Sequence, residues 1–167
     1  NQDIESKKIV IISFGVLEEE SSSKSLIDNL NYHLEVNTFQ TYRIVFSLLK
    51  LTNIKELHLV SSVLGDFIRP SVFSYSVSKN MLESLIENIK NLDSFRSKLF
   101  IWKPAFVESR LNSGRKPSFL KTNSEKITMI VSKKNKGGSY YIPRIAILFT
   151  NLAKFSAPLV RFLDKKL

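Results

Sequence analysis

The sequence predicts an α/β protein built on a parallel sheet, and two observations carry that expectation. Apolar, β-rich runs at Lys8–Ser13, Glu56–Ser61, Lys98–Lys103 and Ser139–Ile142 alternate with helical patterns, giving strand, helix, four times over. The first run, Lys-Ile-Val-Ile-Ile-Ser, is apolar almost without interruption, which suits a strand buried on both faces of a parallel sheet.

Each element has a local reason. Polar Glu5-Ser6-Lys7 and Gly15 bound the first strand, and Phe14-Gly15-Val16-Leu17 turns the chain out at its carboxyl end. Glu18 to Ser25 reads as polar loop or helix start. Leu26, Leu30, Leu34, Ile44, Leu48 and Leu51 recur at helical spacing and predict one long helix over Leu26–Leu51. Asn53 punctuates it before the second strand. Gly65–Ser71 is loop, and Val77, Met81, Leu85 and Ile89 place a second helix over Phe73–Asn91 with that stripe inward. Pro104 ends the third strand, and a loop with Gly114 and Pro117 follows. Thr122-Asn123-Ser124-Glu125 has the form of a capping box opening a helix to about Ser132. Gly137-Gly138 precedes the last strand, and Pro143 starts a C-terminal helix to about Lys166, kinked near Pro158.

At 167 residues the chain has one domain's worth of length, with 43% hydrophobic residues. It contains no cysteine, which excludes disulfides and thiolate metal sites, and two histidines are too few for an imidazole metal site. His33 and His58 read as surface residues. No apolar run is long enough to cross a bilayer, so the expected location is cytoplasmic. The net charge of +10 is uneven: Lys133–Leu167 holds eight basic residues against Asp164 alone. Such an excess attracts nucleic acid, anionic membrane or phosphorylated ligands, or simply keeps a surface solvated. No nucleic-acid reader motif accompanies it, so nucleic acid is not expected as a partner.

The stretch with chemical content runs from Ser61-Ser62, at the end of the second strand, to Tyr75 and Lys79. Tyr75 lies thirteen residues after Ser62, and Lys79 one helical turn beyond, on the same face. Alone, Tyr-x-x-x-Lys in a lysine-rich chain means two solvated side chains. With a serine at a strand end at this spacing, it resembles the catalytic pattern of the short-chain dehydrogenase/reductase family.

That resemblance covers essentially the whole chain and implies a Rossmann-like, doubly wound parallel sheet. It matches the C-terminal part of such a domain. The N-terminal βαβαβ half, with its glycine-rich turn for the pyrophosphate, is not among these residues: the five glycines form no Gly-x-Gly-x-x-Gly. Within the resemblance the catalytic set is Asn37, Ser62, Tyr75 and Lys79. The residues beside an NAD or NADP cofactor are Phe14, Gly15, Tyr75, Lys79, Pro104, Ala105, Val107 and Ser109; no metal is implied. Asn37 would hold a water linking the lysine to solvent; without the other three it would read as a polar residue on a solvated helix face. Pro104-Ala105-Phe106-Val107-Glu108-Ser109 resembles the family's Pro-Gly-x-Val-x-Thr, with Ala105 for glycine and Ser109 keeping a hydroxyl. Ser13-Phe14-Gly15-Val16-Leu17 stands where the family carries Asn-Asn-Ala-Gly.

The chemistry implied is carbonyl reduction. A phenol has an ordinary pKa of about 10, and a nearby ammonium lowers it. Tyr75 then serves as acid/base, Ser62 holds the carbonyl oxygen, and Lys79 binds ribose hydroxyls. Phe-Gly-Val-Leu, Lys103–Val107 and Tyr141-Ile142-Pro143 with the basic tail resemble the branch that reduces a keto-sugar on decaprenyl phosphate. This implies a small-molecule or lipid-linked carbonyl substrate. Residues 105–122 form the expected substrate loop, and residues 143–166 a basic apolar helix that could rest peripherally on an anionic membrane. The family commonly pairs its long helices, so a homo-oligomer is expected. Two other readings stay open: a truncated or degenerate homologue without cofactor, acting as an interaction module, and a basic surface-binding protein.

Overall fold

The computed structural model describes residues 8–18, 25–48, 51, 53–89, 91, 98–113, 120–156, 158, 160, 161 and 164. The strands are β1 (Lys8–Ile12), β2 (Ile54–Val60), β3 (Lys98–Pro104), β4 (Phe106–Val107), β5 (Lys121–Thr122) and β6 (Gly138–Ile142). The helices are α1 (Leu26–His33), a π-helical segment (Leu34–Gln40), α2 (Thr41–Leu48), α3 (Phe73–Ile89), α4 (Ser124–Ser132) and α5 (Ala146–Phe155). Four strands form one parallel sheet in the order β1-β2-β3-β6, and β4 pairs with β5 beside it.

Helices cover both faces. On one, Ile12, Leu57, Leu59, Leu99 and Ile101 pack against Val45 of α2 and Leu82, Ile86 and Ile89 of α3. On the other, Phe100, Trp102 and Ile142 meet Ile127, Ile130 and Val131 of α4. Burying a side chain of this size stabilises the fold by ~1.5–3 kcal/mol, so these two layers set the architecture. The α/β parallel fold read from the alternation is the one observed.

The first strand differs from its expectation. β1 lies at the sheet edge; Ile12 is buried, whereas Ile9 and Ile11 are 57% and 61% exposed. On their face α4 packs over β3 and β6, so among the described residues β1 is covered on one side only.

The helix faces also differ, and for a physical reason. The residues of α1 to α2 that turn inward are Asn29, His33, Asn37, Thr38, Thr41 and Val45, while Leu26 and Ile44 of the expected stripe are exposed. The inward face of α3 carries Tyr75, Ser78, Lys79, Leu82 and Glu83, and Met81 points out. Two polar helix faces can meet inside the protein because they satisfy one another: Thr38 Oγ1 donates to Ser78 O at 2.7 Å and Asn37 Nδ2 to Ser78 Oγ at 3.0 Å.

The long helix is therefore not uniform. It widens to π geometry at residues 34–40, around Asn37, and ends at Leu48. Both histidines are buried rather than on the surface. His33 Nδ1 lies 2.9 Å from Asn29 O, and its Nε2 accepts from the Glu18 N–H. His58 stacks on Phe100 at 4.3 Å, and its Nδ1 accepts from Trp102 Nε1–H at 3.1 Å. The cap of α4 is Asn123, whose side chain accepts from Lys126 N–H, while Thr122 belongs to β5. α5 runs to Phe155, Ser156 is extended, and Pro158, Val160, Arg161 and Asp164 are again helical, so the interruption expected near Pro158 is present. α5 packs through Ala146, Thr150 and Ala153 and exposes Ile147, Leu148, Leu152 and Phe155. Gly114 and Pro117 of the expected loop, and Lys166 at the expected end of the tail, lie outside the described residues.

Candidate active site

The site forms where a parallel sheet offers one, past the carboxyl ends of its strands. The turn after β1 brings Phe14 and Gly15, the end of β2 brings Ser61 and Ser62, and the end of β3 brings Pro104 and Ala105. α3 lies across them and presents Tyr75 and Lys79.

Ser62, Tyr75 and Ala105 line one pocket, together with Leu17, Val72 and Phe106. Ser62 caps the short turn Val63–Gly65, its Oγ accepting from Leu64 N–H at 3.2 Å, so the hydroxyl is held at the pocket edge. Tyr75 is 6% exposed, its ring edge-on to His33 with centroids 6.3 Å apart. Lys79 Nζ sits 5.7 Å from the centre of the same ring. The resemblance put Tyr75 and Lys79 to joint use, and they are neighbours.

Asn37 is fully buried, not on a solvated face. Its Oδ1 accepts from Val16 N–H at 2.8 Å and its Nδ2 donates to Val16 O at 3.0 Å. The side chain thereby holds the turn that carries Gly15. A methyl group at Gly15 would lie 2.9 Å from Asn37 Oδ1 and 3.3 Å from Lys79 Nζ, so only glycine lets the backbone pass this close. Gly15, Asn37 and Lys79 thus meet in space. Phe14 is 42% exposed, Pro104 is buried at the end of β3, Val107 is half-buried in β4, and Ser109 is exposed at the start of the turn Arg110–Asn112. Among the described residues no group of His, Asp and Glu could hold a metal ion, and no helix is long and apolar enough to cross a membrane.

Burial brings the Lys79 ammonium down from 10.5 to about 8, with the charge of Glu83 opposing. Between about 8 and 10.5 the unfolded chain holds a proton here that the folded chain has released, so stability rises with pH across that window. Lys79→Met should flatten this rise in urea unfolding measured on both sides of the window. An unchanged slope would mean that the amine is solvated.

Behind the pocket lies a buried ionic cluster that sequence reasoning did not single out. Lys103 Nζ contacts Glu83 Oε2 at 2.6 Å and Asp66 Oδ1 at 2.9 Å, and Lys154 Nζ reaches Asp66 at 3.1 Å. Burial favours neutral Lys103, but Glu83 and Asp66 outweigh it and push its pKa up. Burial likewise raises Asp66, yet Lys103, with Tyr141 and Lys154, holds the carboxyl below its ordinary value. Glu83 is raised by burial, against Lys103 and Ser61. One signal was available: Glu83 continues the four-residue step from Tyr75 and Lys79.

The fold has counterparts among solved structures. The chain is similar to a short chain dehydrogenase from Burkholderia cenocepacia J2315 in complex with NADP, with a TM-score of 0.75 and 16% identity over 96% of this chain and 70% of that one. The fold is that of short-chain dehydrogenases/reductases. Carbonyl reductase Sniffer of D. melanogaster matches with a TM-score of 0.64 at 16% identity, over 80% of this chain and 63% of that one. Landomycin C-6 ketoreductase LanV, with bound NADP and rabelomycin, matches with a TM-score of 0.62 at 19% identity, over 80% of this chain and 59% of that one. The chain thus spans 59–70% of the length of these three structures. No protein-family model matches it, and no curated protein does.

Proposed function

We propose that the chain is the catalytic portion of a NAD(P)-dependent oxidoreductase that reduces a carbonyl, with Tyr75 as acid/base. The observation that carries this reading is Ser62 and Tyr75 on one pocket, with the Lys79 amine between the Tyr75 ring and Gly15.

The residues present fit the nicotinamide-ribose end of a dinucleotide. The bare backbone of Gly15 beside Lys79 and Asn37 is a cradle that a side chain would fill. Lys79 would hold ribose hydroxyls there, and Phe14, Pro104, Ala105, Val107 and Ser109 would border the ring. The pyrophosphate turn is not among the 167 residues, so the cofactor reading applies to the complete protein. When bound, the dinucleotide supplies the hydride. Ser62 Oγ–H donates to the substrate carbonyl oxygen and fixes it, and Tyr75 gives its phenolic proton to that oxygen as negative charge develops there. The Lys79 ammonium stabilises the phenolate left behind. Asn37 keeps the Gly15 turn against the lysine; the water relay through it is part of this proposal.

The substrate follows from a second recess that shares Leu64, Arg69, Ala105 and Phe106 with the first. Its wall is largely apolar, with Val63, Phe67, Leu120 and Phe149. This supports a carbonyl carried on an apolar body, the keto-sugar of a polyprenyl lipid being one such molecule. Turnover of a medium-chain ketone by the complete protein should exceed that of a small polar ketone by about 10-fold or more in kcat/KM, since each buried methylene is worth ~0.8 kcal/mol. Equal values would remove the recess from the substrate site.

The exposed apolar residues of α1, α2 and α5 support pairing with a second copy or peripheral contact with a membrane, as further parts of this proposal. The second reading, an interaction module without cofactor, is favoured by the uncovered Ile9 and Ile11 of β1. It predicts that the complete protein shows no saturable NAD(P)H binding.

A further inference from the structure

α3 carries Tyr75, Lys79 and Glu83 at successive four-residue steps, so the three leave one face of the helix. All three are buried, at 6%, 4% and 6% exposure. Tyr75 lines the pocket, and Lys79 Nζ lies beside the Tyr75 ring and Gly15. Glu83 turns towards the residues immediately before the other two site segments. Its Oε1 accepts from Ser61 Oγ at 2.5 Å, and Ser61 directly precedes Ser62. Its Oε2 meets Lys103 Nζ at 2.6 Å, and Lys103 directly precedes Pro104 and Ala105. The fit is close: a methyl group at Gly65 would lie 2.3 Å from Glu83 Oε1.

A buried ion pair is weak evidence for stability, because its desolvation cost offsets most of the attraction. What this carboxylate does that an apolar side chain could not is join three separate segments by directional bonds. The structure assigns Glu83 as a positioning residue: it locks the ends of β2 and β3 to α3, and so sets Ser62 and Ala105 against Tyr75 and Lys79. This rests on the carbonyl-reductase reading. Around Glu83 stand Lys103 from β3, Ser61 from β2, Asp66 from the turn after β2 and Lys79 on its own helix. Lys154 of α5 and Tyr141 of β6 act through Asp66. With Glu83 ionised, its charge also supports the Lys79 ammonium.

The test compares Glu83→Gln with the charge-balanced double variant Glu83→Gln/Lys103→Met in the complete protein. The single variant leaves buried Lys103 with Asp66 as its one remaining carboxylate partner and should lose Tm; the double variant removes both charges, leaves Asp66 paired with Lys154, and should recover most of the loss. In both, kcat should fall roughly 10- to 100-fold, because orientation is lost. KM should change by less than about twofold, because binding contacts remain. In lysine-resolved NMR the Lys79 midpoint should move below its position near about 8 in both variants. Recovery of kcat together with Tm in the double variant, or an unmoved Lys79 midpoint, would overturn the assignment. Tyr75→Phe separates the two levels. If it turns over like the parent, the reductase reading fails, while the Lys79 midpoint still decides whether Glu83 acts on that lysine.

Discussion

Tyr75→Phe should lower kcat for carbonyl reduction by the complete protein roughly 10²- to 10⁴-fold, the range supplied by a positioned acid/base. The substitution removes one hydroxyl and keeps the ring. The ring is what packs: it is 6% exposed, edge-on to His33, and beneath the Lys79 amine. Losing the hydroxyl should cost stability only about 1 kcal/mol, so a folded and inactive variant is the expected result. Loss of NAD(P)H absorbance measures the rate, and thermal melting by circular dichroism measures the fold. Unchanged turnover would take Tyr75 out of the chemistry and leave Ser62 and Lys79 without a proton donor between them.

Phe100→Ala should be the most damaging single truncation in the core, at ~3–5 kcal/mol. Phe100 is fully buried in the central strand β3 and stacks on His58 at 4.3 Å and on Trp102 at 6.0 Å. It packs in the cluster that joins the sheet to α4, so the cavity has rigid strand on one side and helix on the other. A domain's whole stability is about 5–15 kcal/mol, so much of the margin would go. Urea unfolding followed through Trp102, the single tryptophan, would read it directly. A loss under about 1 kcal/mol would mean that α4 collapses onto the gap.

How far such residues could be read beforehand depends on the kind of information they carry. Strand positions were legible, because β-branched runs such as Lys-Ile-Val-Ile-Ile state a strand locally, though not its burial, since Ile9 and Ile11 are exposed. Tyr75 and Lys79 were legible as a pair, because one helical turn separates them whatever surrounds the helix. The inward faces of α1, α2 and α3 were not. A periodic stripe names residues that share a face, but Asn29, His33, Asn37 and Thr41 form a stripe as regular as Leu26, Leu30 and Leu34. Apolar character pointed to the wrong one, because the polar stripe finds its partners on α3.

His58 shows the same limit on a strand. As one of only two histidines, too few for a metal site, it read as a surface residue. Trp102, forty-four residues away, supplies the N–H that makes its burial acceptable. Asn37 is similar, since its clamp joins the turn at Val16 and helix α3 at Ser78, 21 and 41 residues distant.

By itself, then, the sequence determined the alternation of strands and helices, the parallel sheet, and the spacing of Ser62, Tyr75 and Lys79. All three are local quantities, set by backbone periods of two residues and of about 3.6. Only the tertiary structure decided which helix faces go inward, why Gly15 must be bare, and that Glu83 bonds the residues beside Ser62 and Pro104. Those depend on which polar groups meet across the core, and a hydrogen bond between distant residues leaves no period in the chain.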